Sequence, residues 1–384
     1  MNKNRYHLEI NYSQAIKKNE RVCGDNITQF KTGKETIFII SDGIGSGIKA
    51  NIASNLLSSQ LIKMLEIGFS LRETINKIVK NMHKARSKDI PFSAFTIVKI
   101  LNNLTATVYS YESPLPVFIE DNFAFIPTPV YHSVNNEIIA ETELKLKKNN
   151  NIIIATDGIT QAGMGYMLPH GWSIEGVRDY INKLLSADCI KEKIPDEIIA
   201  NVKKISDNTM FDDATAALIS LKTANVINIL SGPPEKKESD EKYINDFIKD
   251  QGLKIICGST TLEIYSRLAN LNIKNTSIGG GYSKPPRYFI DGADIATEGC
   301  VVLNQVTNIL DADINQYDPD SSVSEISVLL NAADIINFRV GKAQNPANKA
   351  IIFKQMGLLP RNKIIPRLIK KLKDKGKLVN TVYY

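Results

Sequence analysis

The sequence predicts an α+β protein in two parts, a larger domain over residues 1–224 and a smaller α/β domain over residues 225–384. Three observations predict this division. The length of 384 residues suits two or three domains of about 150 residues each. Up to Lys222, β-rich runs alternate with amphipathic stretches, whereas beyond it short strands are followed by helices. Strands that alternate with helices favour a largely parallel sheet in the second part.

The strands predicted in the first part are short runs of apolar and β-branched residues. They are His7–Tyr12, Asn26–Phe30, Ile37–Ser41, Ser93–Leu101, Thr105–Ser110, Val117–Glu120, Asn151–Thr156 and Ala214–Leu221. Helical spacing predicts helices over Ser46–Ile67, Leu71–Ala85, Ser173–Ser186 and Pro195–Ile205. In the first of these helices one predicted buried face contains Ala50, Ala53, Leu56, Leu57, Leu61 and Leu65.

The second part begins with a strand at Val226–Leu230, followed by a helix over Ser239–Asp250. A second step runs from a strand at Leu253–Cys257, through a loop, into a helix over Leu262–Leu271. Near the end, Arg361–Lys377 has apolar residues at helical spacing between lysines and arginines. This pattern predicts an amphipathic helix that packs on the domain with a charged outer face.

Composition excludes several classes of protein. The 47 Lys and Arg against 41 Asp and Glu give a net charge of +6, too small and too dispersed for a nucleic-acid binder. No apolar run approaches the roughly 20 residues that cross a bilayer, and the polar amino terminus does not read as a signal peptide. The four cysteines are scattered without a Cys-x-x-Cys pair, which argues against zinc or disulfides. We expect a cytoplasmic protein that binds neither nucleic acid nor membrane.

Two segments run an apolar strand directly into an Asp-Gly pair, at Asp42-Gly43 and at Asp157-Gly158. The strand end holds the carboxylate rigidly, and the glycine lets the backbone approach so that a main-chain carbonyl can also serve as an oxygen ligand. Each pair alone also fits a simple turn.

Two further acidic elements border strands, Asp212-Asp213 before Ala216–Leu221 and Asp25 before Asn26–Phe30. Hard divalent cations favour carboxylate, carbonyl and water ligands. Two cations held by shared carboxylates can activate a water and neutralise a phosphoryl group. The four elements together therefore indicate a two-metal hydrolytic site.

In order and local wording these elements resemble the metal-dependent protein phosphatases of the PPM/PP2C superfamily, in particular the bacterial branch typified by the stage II sporulation protein E phosphatase. The matching motifs are Cys23-Gly24-Asp25-Asn26, Ser41-Asp42-Gly43-Ile44-Gly45-Ser46-Gly47, Thr156-Asp157-Gly158 and Asp212-Asp213-Ala214-Thr215. The resemblance covers about residues 1–222. It implies a PP2C-like β-sandwich of two antiparallel sheets flanked by helices, two Mn²⁺ or Mg²⁺ ions, and hydrolysis of phosphoserine or phosphothreonine on a protein substrate, in bacterial signalling.

Carried over by residue, the resemblance makes Asp42 the bridge between two metals and the Gly43 carbonyl a ligand of the first. Asp157 and Asp212 would hold the second metal, and Asp25 would support the first, directly or through water. Catalysis would act through water activated by these metals, with Asp42, Asp157 and Asp212 as the catalytic acids.

The resemblance also implies supporting roles. Asp213 would orient ligands or waters from behind the metal site, and Arg21 is the candidate for gripping the phosphate. Eukaryotic members have a histidine, a suspected general acid, where this chain has Ile44. The leaving group's proton source is therefore unassigned, with a metal-bound water as the expected donor.

Other functions stay open at the sequence level. The fold could be a weak or inactive scaffold whose second domain carries the function, or the enzyme could act on a small phosphorylated metabolite. Asp311-Ala312-Asp313 fits a solvated helix end better than a nucleophile motif or a calcium loop.

In the second domain, the segment Gly258, Ser259, Thr260 and Thr261 is a candidate ligand site, because hydroxyls and backbone amides before a helix can bind an anion. A simple turn in which Thr260 or Thr261 caps the helix fits equally well. Asp291, Asp294 and Glu298 are expected to face the same region. The second domain is thus expected to bind a small molecule or a protein partner.

Overall fold

The computed structural model of the chain describes residues 6–87, 92–275, 285–343 and 356–384. The chain forms two compact units, which are described separately below. The amino-terminal unit spans Leu8–Lys222, and the carboxyl-terminal unit comprises Thr223–Tyr384 together with Tyr6 and His7. The sequence analysis predicted two domains, residues 1–224 and 225–384. That each of them folds on its own stays a prediction.

The amino-terminal unit contains eleven strands and five α-helices within its described residues. The strands are β1 (Tyr6–Ala15), β2 (Asp25–Lys31), β3 (Glu35–Gly43), β4 (Ser93–Leu101), β5 (Thr105–Tyr111), β6 (Val117–Glu120), β7 (Phe123–Phe125), β8 (Val130–Val134), β9 (Glu137–Lys145), β10 (Asn151–Ala155) and β11 (Ala214–Thr223). The helices are α1 (Gly47–Glu66), α2 (Leu71–Ser87), α3 (Asp157–Thr160), α4 (Ser173–Ser186) and α5 (Ile194–Ile205).

These strands form two sheets. One has the order β2-β3-β4-β5-β9-β8 and the other β1-β11-β10-β6-β7. All pairs of the first sheet are antiparallel, as are β11 with β10, β10 with β6, and β6 with β7 in the second.

Side chains alternate across each strand, and both faces of the central strands are buried. In β3, Ile37 and Ile39 pack with residues of α1 and α2, while Phe38 and Ile40 on the opposite face are equally buried. In β10, Ile153 packs with residues of α4 and α5, and its neighbour Ile152 is buried on the other face. A sheet buried on both faces needs a layer on each side. Helices supply one layer and the other sheet supplies the second, which confirms the predicted sandwich.

Helix α1 buries Ala50, Ala53, Leu57 and Leu61 against the sheet. The expectation that Leu56 belongs to this face is wrong, since its side chain is 56% exposed. Successive residues of a helix are about 100° apart, and the buried stripe is already set by Ala53, Leu57 and Leu61 at spacings of four. Leu56 therefore falls on the outer side of the helix.

The carboxyl-terminal unit contains strands β12 (Val226–Ser231), β13 (Leu253–Cys257), β14 (Lys274–Asn275), β15 (Arg287–Phe289), β16 (Ile295–Thr297), β17 (Ile335–Val340) and β18 (Leu378–Tyr383). Its α-helices are α6 (Asp240–Lys249), α7 (Ser259–Ala269), α8 (Cys300–Ile309), α9 (Ser322–Ala332) and α10 (Arg361–Asp374). In none of the described stretches is a helix both long and apolar enough to cross a membrane.

The sheet of this unit has the order β14-β15-β16-β13-β12-β17-β18. Its five strands β16, β13, β12, β17 and β18 are parallel, and β14 and β15 add an antiparallel edge. The first strand of this unit, β12, lies in the middle of the sheet, and the later strands are added outward, first on one side and then on the other. This is a doubly wound α/β topology, whose switch point lies between β12 and β17.

Helices cover both faces of this sheet. Residues of α6 and α7 pack on one face, against Leu230 and Ile256. Residues of α8, α9 and α10 pack on the other, against Ile229 and Phe338. Helix α10 buries Ile364, Ile365, Leu368 and Leu372, so the basic segment packs on the sheet as its amphipathic pattern predicts.

Candidate metal centre

Four acidic elements meet at one end of the sandwich. Asp25 opens β2 and lies directly opposite Asp42, close to the end of β3, in the antiparallel register. Asp157 follows β10, and Asp212 precedes β11, the antiparallel neighbour of β10. Strand ends that are far apart in sequence thus place their carboxylates at a common edge.

Two threonines, one directly after β10 and one in β11, hold Asp25 from across the sandwich. Thr156 Oγ1 donates to Asp25 Oδ2 at 2.9 Å, and Thr215 Oγ1 donates to the same oxygen at 2.5 Å. Thr156 and Thr215 are also tied to each other, because the amide of Thr215 donates to Thr156 Oγ1 at 2.9 Å. One Asp25 oxygen is therefore fixed by two hydroxyls.

The other oxygen of Asp25 has no such support. Asp25 is 4% exposed, and its Oδ1 is buried without a hydrogen-bond partner among the described residues. Burial raises the pKa of Asp25 to about 7, with Asp213 and Asp157 adding repulsion and the two threonine hydroxyls opposing the rise. A buried carboxylate oxygen of this kind is costly unless it meets a proton or a cation.

The carboxyl groups of Asp42 and Asp157 lie close enough together for each to affect the charge of the other. Burial raises the pKa of Asp42 to about 10, and repulsion from Asp25, Asp157 and Asp212 adds to the rise. Asp157 Oδ2 accepts from Gln161 Nε2 at 2.8 Å, whereas its Oδ1 is buried and has no partner within the described parts of the chain. Neighbouring carboxylates disfavour one another's ionised form unless a cation neutralises their charge.

Asp212 is partly accessible, with its side chain 41% exposed. Burial raises its pKa, while the Lys17 ammonium, 3.6 Å from Asp212 Oδ1, opposes the rise. The accessible edge of the cluster therefore carries both an acid and a cation.

Close backbone contacts account for the glycines beside the acids. A Cβ on Gly43 would lie 1.9 Å from the carbonyl oxygen of Ala50 in α1, and a Cβ on Gly158 would lie 2.0 Å from the carbonyl oxygen of Asp213. Neither position has room for any other residue. The tight approach seats the Asp-Gly turns against the neighbouring backbone.

Asp213 holds the connection between β1 and β2. Its Oδ1 accepts from the amide of Lys17 at 2.9 Å and its Oδ2 accepts from the amide of Gly24 at 2.8 Å. Both carboxylate oxygens are thus used on the backbone of this connection. The side chain is 4% exposed and fixes the residue that precedes Asp25.

The residues present fit a hard divalent cation by their chemistry. The cluster offers carboxylate oxygens and a nearby glycine carbonyl, and the unpartnered oxygens of Asp25 and Asp157 are buried. Oxygen ligands of this kind are those that Mg²⁺ and Mn²⁺ prefer. Within residues 6–87, 92–275, 285–343 and 356–384, no three Asp, Glu, His or Cys side chains are arranged as a complete set of metal ligands.

The sequence did not assign roles to several residues of this site. Thr156 and Thr215 stand inside the matched motifs, but their bonds to Asp25 span 131 and 190 residues of the chain. Lys17 lies outside all of the matched motifs. Arg21, the predicted phosphate ligand, lies exposed in the connection that Asp213 holds.

In the carboxyl-terminal unit, the segment from Gly258 to Thr261 differs from the predicted loop. Helix α7 already begins at Ser259, and its N-cap is Gly258 with φ +124° and no side-chain cap. The interpretation that Thr260 or Thr261 caps the helix is therefore wrong, because both lie in its first turn. Asp294 does not face this segment: it precedes β16 and accepts from the amide of Lys254 at the amino end of β13, since the two strands are parallel.

The amino-terminal part of the chain is similar to known proteins. Residues 32–222 match the model of the Stage II sporulation protein E (SpoIIE) family. The phosphoserine phosphatase RsbX of Bacillus subtilis (strain 168) is 28% identical over 177 residues, which cover 44% of this chain and 84% of that protein.

The chain is also similar to solved structures. The PP2C phosphatase domain of SpoIIE from Bacillus subtilis, with a fragment of its regulatory domain, has a TM-score of 0.46 and 20% identity, covering 56% of this chain and 62% of that one. RsbX in complex with magnesium has a TM-score of 0.40 and 20% identity, covering 56% of this chain and 96% of that one.

The sandwich with acids at one end defines a PP2C-type phosphatase domain. Within that class, residues 32–222 belong to the SpoIIE family.

Proposed function

We propose that the amino-terminal unit is a metal-dependent serine/threonine protein phosphatase that acts in bacterial signalling. The observation that carries this proposal is the convergence of Asp25, Asp42, Asp157 and Asp212 at one end of the sandwich, with buried oxygens that lack partners within the described residues. A scaffold has no physical need for carboxylates that repel one another. Phosphoserine is favoured as the substrate group because the relative RsbX is named a phosphoserine phosphatase.

The proposed cofactors are two Mn²⁺ or Mg²⁺ ions. Asp42 would serve both ions, Gly43 would offer its carbonyl and Asp25 its free oxygen to the first, and Asp157 and Asp212 would hold the second. When bound, such ions lower the pKa of water and neutralise phosphoryl oxygens.

The remaining groups of the chain position this machinery. Thr156 and Thr215 fix one oxygen of Asp25, and the other oxygen, which has no partner among the described residues, would be available to the first ion. Asp213 anchors the connection that carries Arg21 and Lys17. The cations of that connection would attract the phosphate dianion to the edge of the site, with Arg21 as the proposed phosphate ligand.

The test is phosphate release by the full chain in Mn²⁺ or Mg²⁺, from phosphoserine, phosphothreonine and phosphotyrosine peptides and from an aryl phosphate. We expect release from the first two peptides that requires the metal. Asp42→Asn should lower the rate at least a hundredfold and reduce bound metal measured by elemental analysis, because the substitution removes a charge shared by both ions.

The matched control is Asp188→Asn, since Asp188 is an exposed acid just after α4. Its rate and metal content should equal those of the wild type. Full activity in Asp42→Asn would overturn the proposal, as would release that is unchanged by a chelator. Metal binding without release from any of the four substrates would favour the scaffold interpretation.

A further inference from the structure

The carboxyl edge of the parallel sheet in the second unit brings three helix N-termini together. Helices α7 and α8 begin directly after the neighbouring strands β13 and β16. Their N-cap residues, Gly258 and Gly299, touch: a Cβ on Gly299 would lie 3.3 Å from Gly258 Cα. Neither helix has a side-chain cap. Two sets of first-turn amides therefore face a shared space.

The third N-terminus is that of α10. Leu359, two residues before α10, is held by the side-chain amide of Asn304 in the second turn of α8. Asn304 Nδ2 donates to the Leu359 carbonyl at 2.9 Å, and the Leu359 backbone amide donates to Asn304 Oδ1 at 2.9 Å. Helix α10, which then begins at Arg361, also has no side-chain cap. Its first turn is thereby fixed beside the start of α8.

Arg361 adds a full positive charge at this edge. Its guanidinium packs against Gly232, directly after β12, so closely that a Cβ there would overlap it, and it donates to the carbonyl of Ala343 beyond β17. It therefore stands at the switch point between β12 and β17, where doubly wound sheets bind their ligands. No carboxylate among the described residues pairs with it.

A second and independent observation points to a ligand. Thr261 in the first turn of α7 is 1% exposed, and its Oγ1 has no hydrogen-bond partner in the described residues. This oxygen faces Gly258, since a Cβ there would lie 3.2 Å from it. A buried hydroxyl without a partner costs free energy, and here it is directed toward the start of its own helix.

The charge of this edge selects the ligand. Helix N-termini carry partial positive charge and free amides, and Arg361 is cationic. Glu298, directly before Gly299, lies near Tyr288, and burial together with this carboxylate raises the pKa of the Tyr288 hydroxyl. We propose that this edge, built from Gly258, Thr261, Gly299 and Arg361, binds the phosphate group of a small phosphorylated molecule. The site belongs to the second unit and is independent of the proposed phosphatase centre.

Calorimetric titration of the full chain tests the proposal. The solution contains EDTA, so that the amino-terminal site cannot bind phosphate through a metal. The probes are ADP, inorganic phosphate and adenosine. We expect ADP to bind and adenosine not to bind. Binding of inorganic phosphate as tight as that of ADP would identify free phosphate as the ligand, whereas weaker binding would identify a phosphorylated organic molecule.

Two variants locate the site. Arg361→Gln should weaken the binding of the probe at least tenfold, because it removes a charge-assisted donor. Thr261→Val keeps the shape of the side chain, removes only the hydroxyl and should weaken binding several-fold. The control, Arg367→Gln, changes an exposed arginine on the same helix and should bind as the wild type does.

Circular dichroism establishes whether each variant is folded. If Arg361→Gln does not fold, the binding measured for Thr261→Val decides the test. The proposal is overturned if neither ADP nor phosphate binds to the wild type at millimolar concentration, if adenosine binds as well as ADP, or if the folded variants bind with wild-type affinity.

Discussion

The buried carboxylate of Asp213 accepts a hydrogen bond from the backbone amide of Gly24 at 2.8 Å, and this bond fixes the residue directly before Asp25. The second oxygen of Asp213 does the same for Lys17. The aspartate pair 212–213 thus divides its work: Asp212 faces the accessible edge of the site, and Asp213 holds the chain that carries Asp25.

Asp213→Asn should destabilise the amino-terminal unit. An amide group in place of the carboxylate cannot accept both backbone donors, so a buried N–H loses its partner at a cost of about 1–3 kcal/mol. Trp172 is the only tryptophan of the chain and lies in this unit, so its fluorescence during urea unfolding reports on this unit alone. Asp212→Asn, at a half-exposed position, should shift the midpoint far less. Equal midpoints for the two variants would contradict this division of roles.

Gly43→Ala should also strongly destabilise the amino-terminal unit. Its Cβ would lie 1.9 Å from the carbonyl oxygen of Ala50, and neither backbone can move without displacing α1 from β3. We expect a loss of at least about 2 kcal/mol, measured by the same fluorescence transition.

Gly165→Ala is the matched control for Gly43→Ala. Gly165 has φ +71°, but no atom lies within 4 Å of the point that a Cβ on this residue would occupy, so the substitution carries only backbone strain of about 1 kcal/mol. A Gly43→Ala variant as stable as Gly165→Ala would show that α1 can yield at this point.

Much of the fold could be predicted because its strands have strong local patterns. Ser93–Leu101, Val117–Glu120 and Leu253–Cys257 are observed with the predicted bounds. Three strands of the amino-terminal unit were missed, β7, β8 and β9, as were β14 to β18 of the carboxyl-terminal unit. Phe123–Phe125 is only three residues long, and β8 is mostly exposed, so neither presents the apolar alternation that identifies a half-buried strand.

The acids of the site could be predicted from sequence, whereas their supports could not. Each aspartate follows or precedes a recognisable strand, and a strand end is a local signal. The bond from Thr215 to Asp25 joins residues 190 positions apart, and the ion pair of Lys17 with Asp212 depends on how β1 and β11 come together. No local pattern contains that information. The roles of the aspartates as metal ligands stay a prediction.

Cys257 should resist thiol reagents in the folded protein. Complete burial raises the pKa of its thiol to about 12, and only a thiolate reacts readily. In a reaction with a disulfide reagent at pH 8, Cys257→Ala should show the same number of fast-reacting thiols as the wild type. Loss of one fast-reacting thiol in this variant would show that the end of β13 is open to solvent.

Two cations of the β1–β2 connection compete for the role of phosphate ligand. Arg21 is predicted from the family resemblance and is exposed, whereas Lys17 lies 3.6 Å from Asp212. If Arg21 grips the phosphate, Arg21→Ala should lower kcat/KM for the phosphoserine peptide about tenfold or more, because a charge-assisted hydrogen bond is lost. Lys17→Met should then have the smaller effect, since its ammonium is engaged by Asp212. Arg178→Ala, which breaks an ion pair with Asp179 on α4, should leave kcat/KM unchanged. A loss in Lys17→Met with none in Arg21→Ala would transfer the role to Lys17, and would mean that the lysine leaves Asp212 when the phosphate enters.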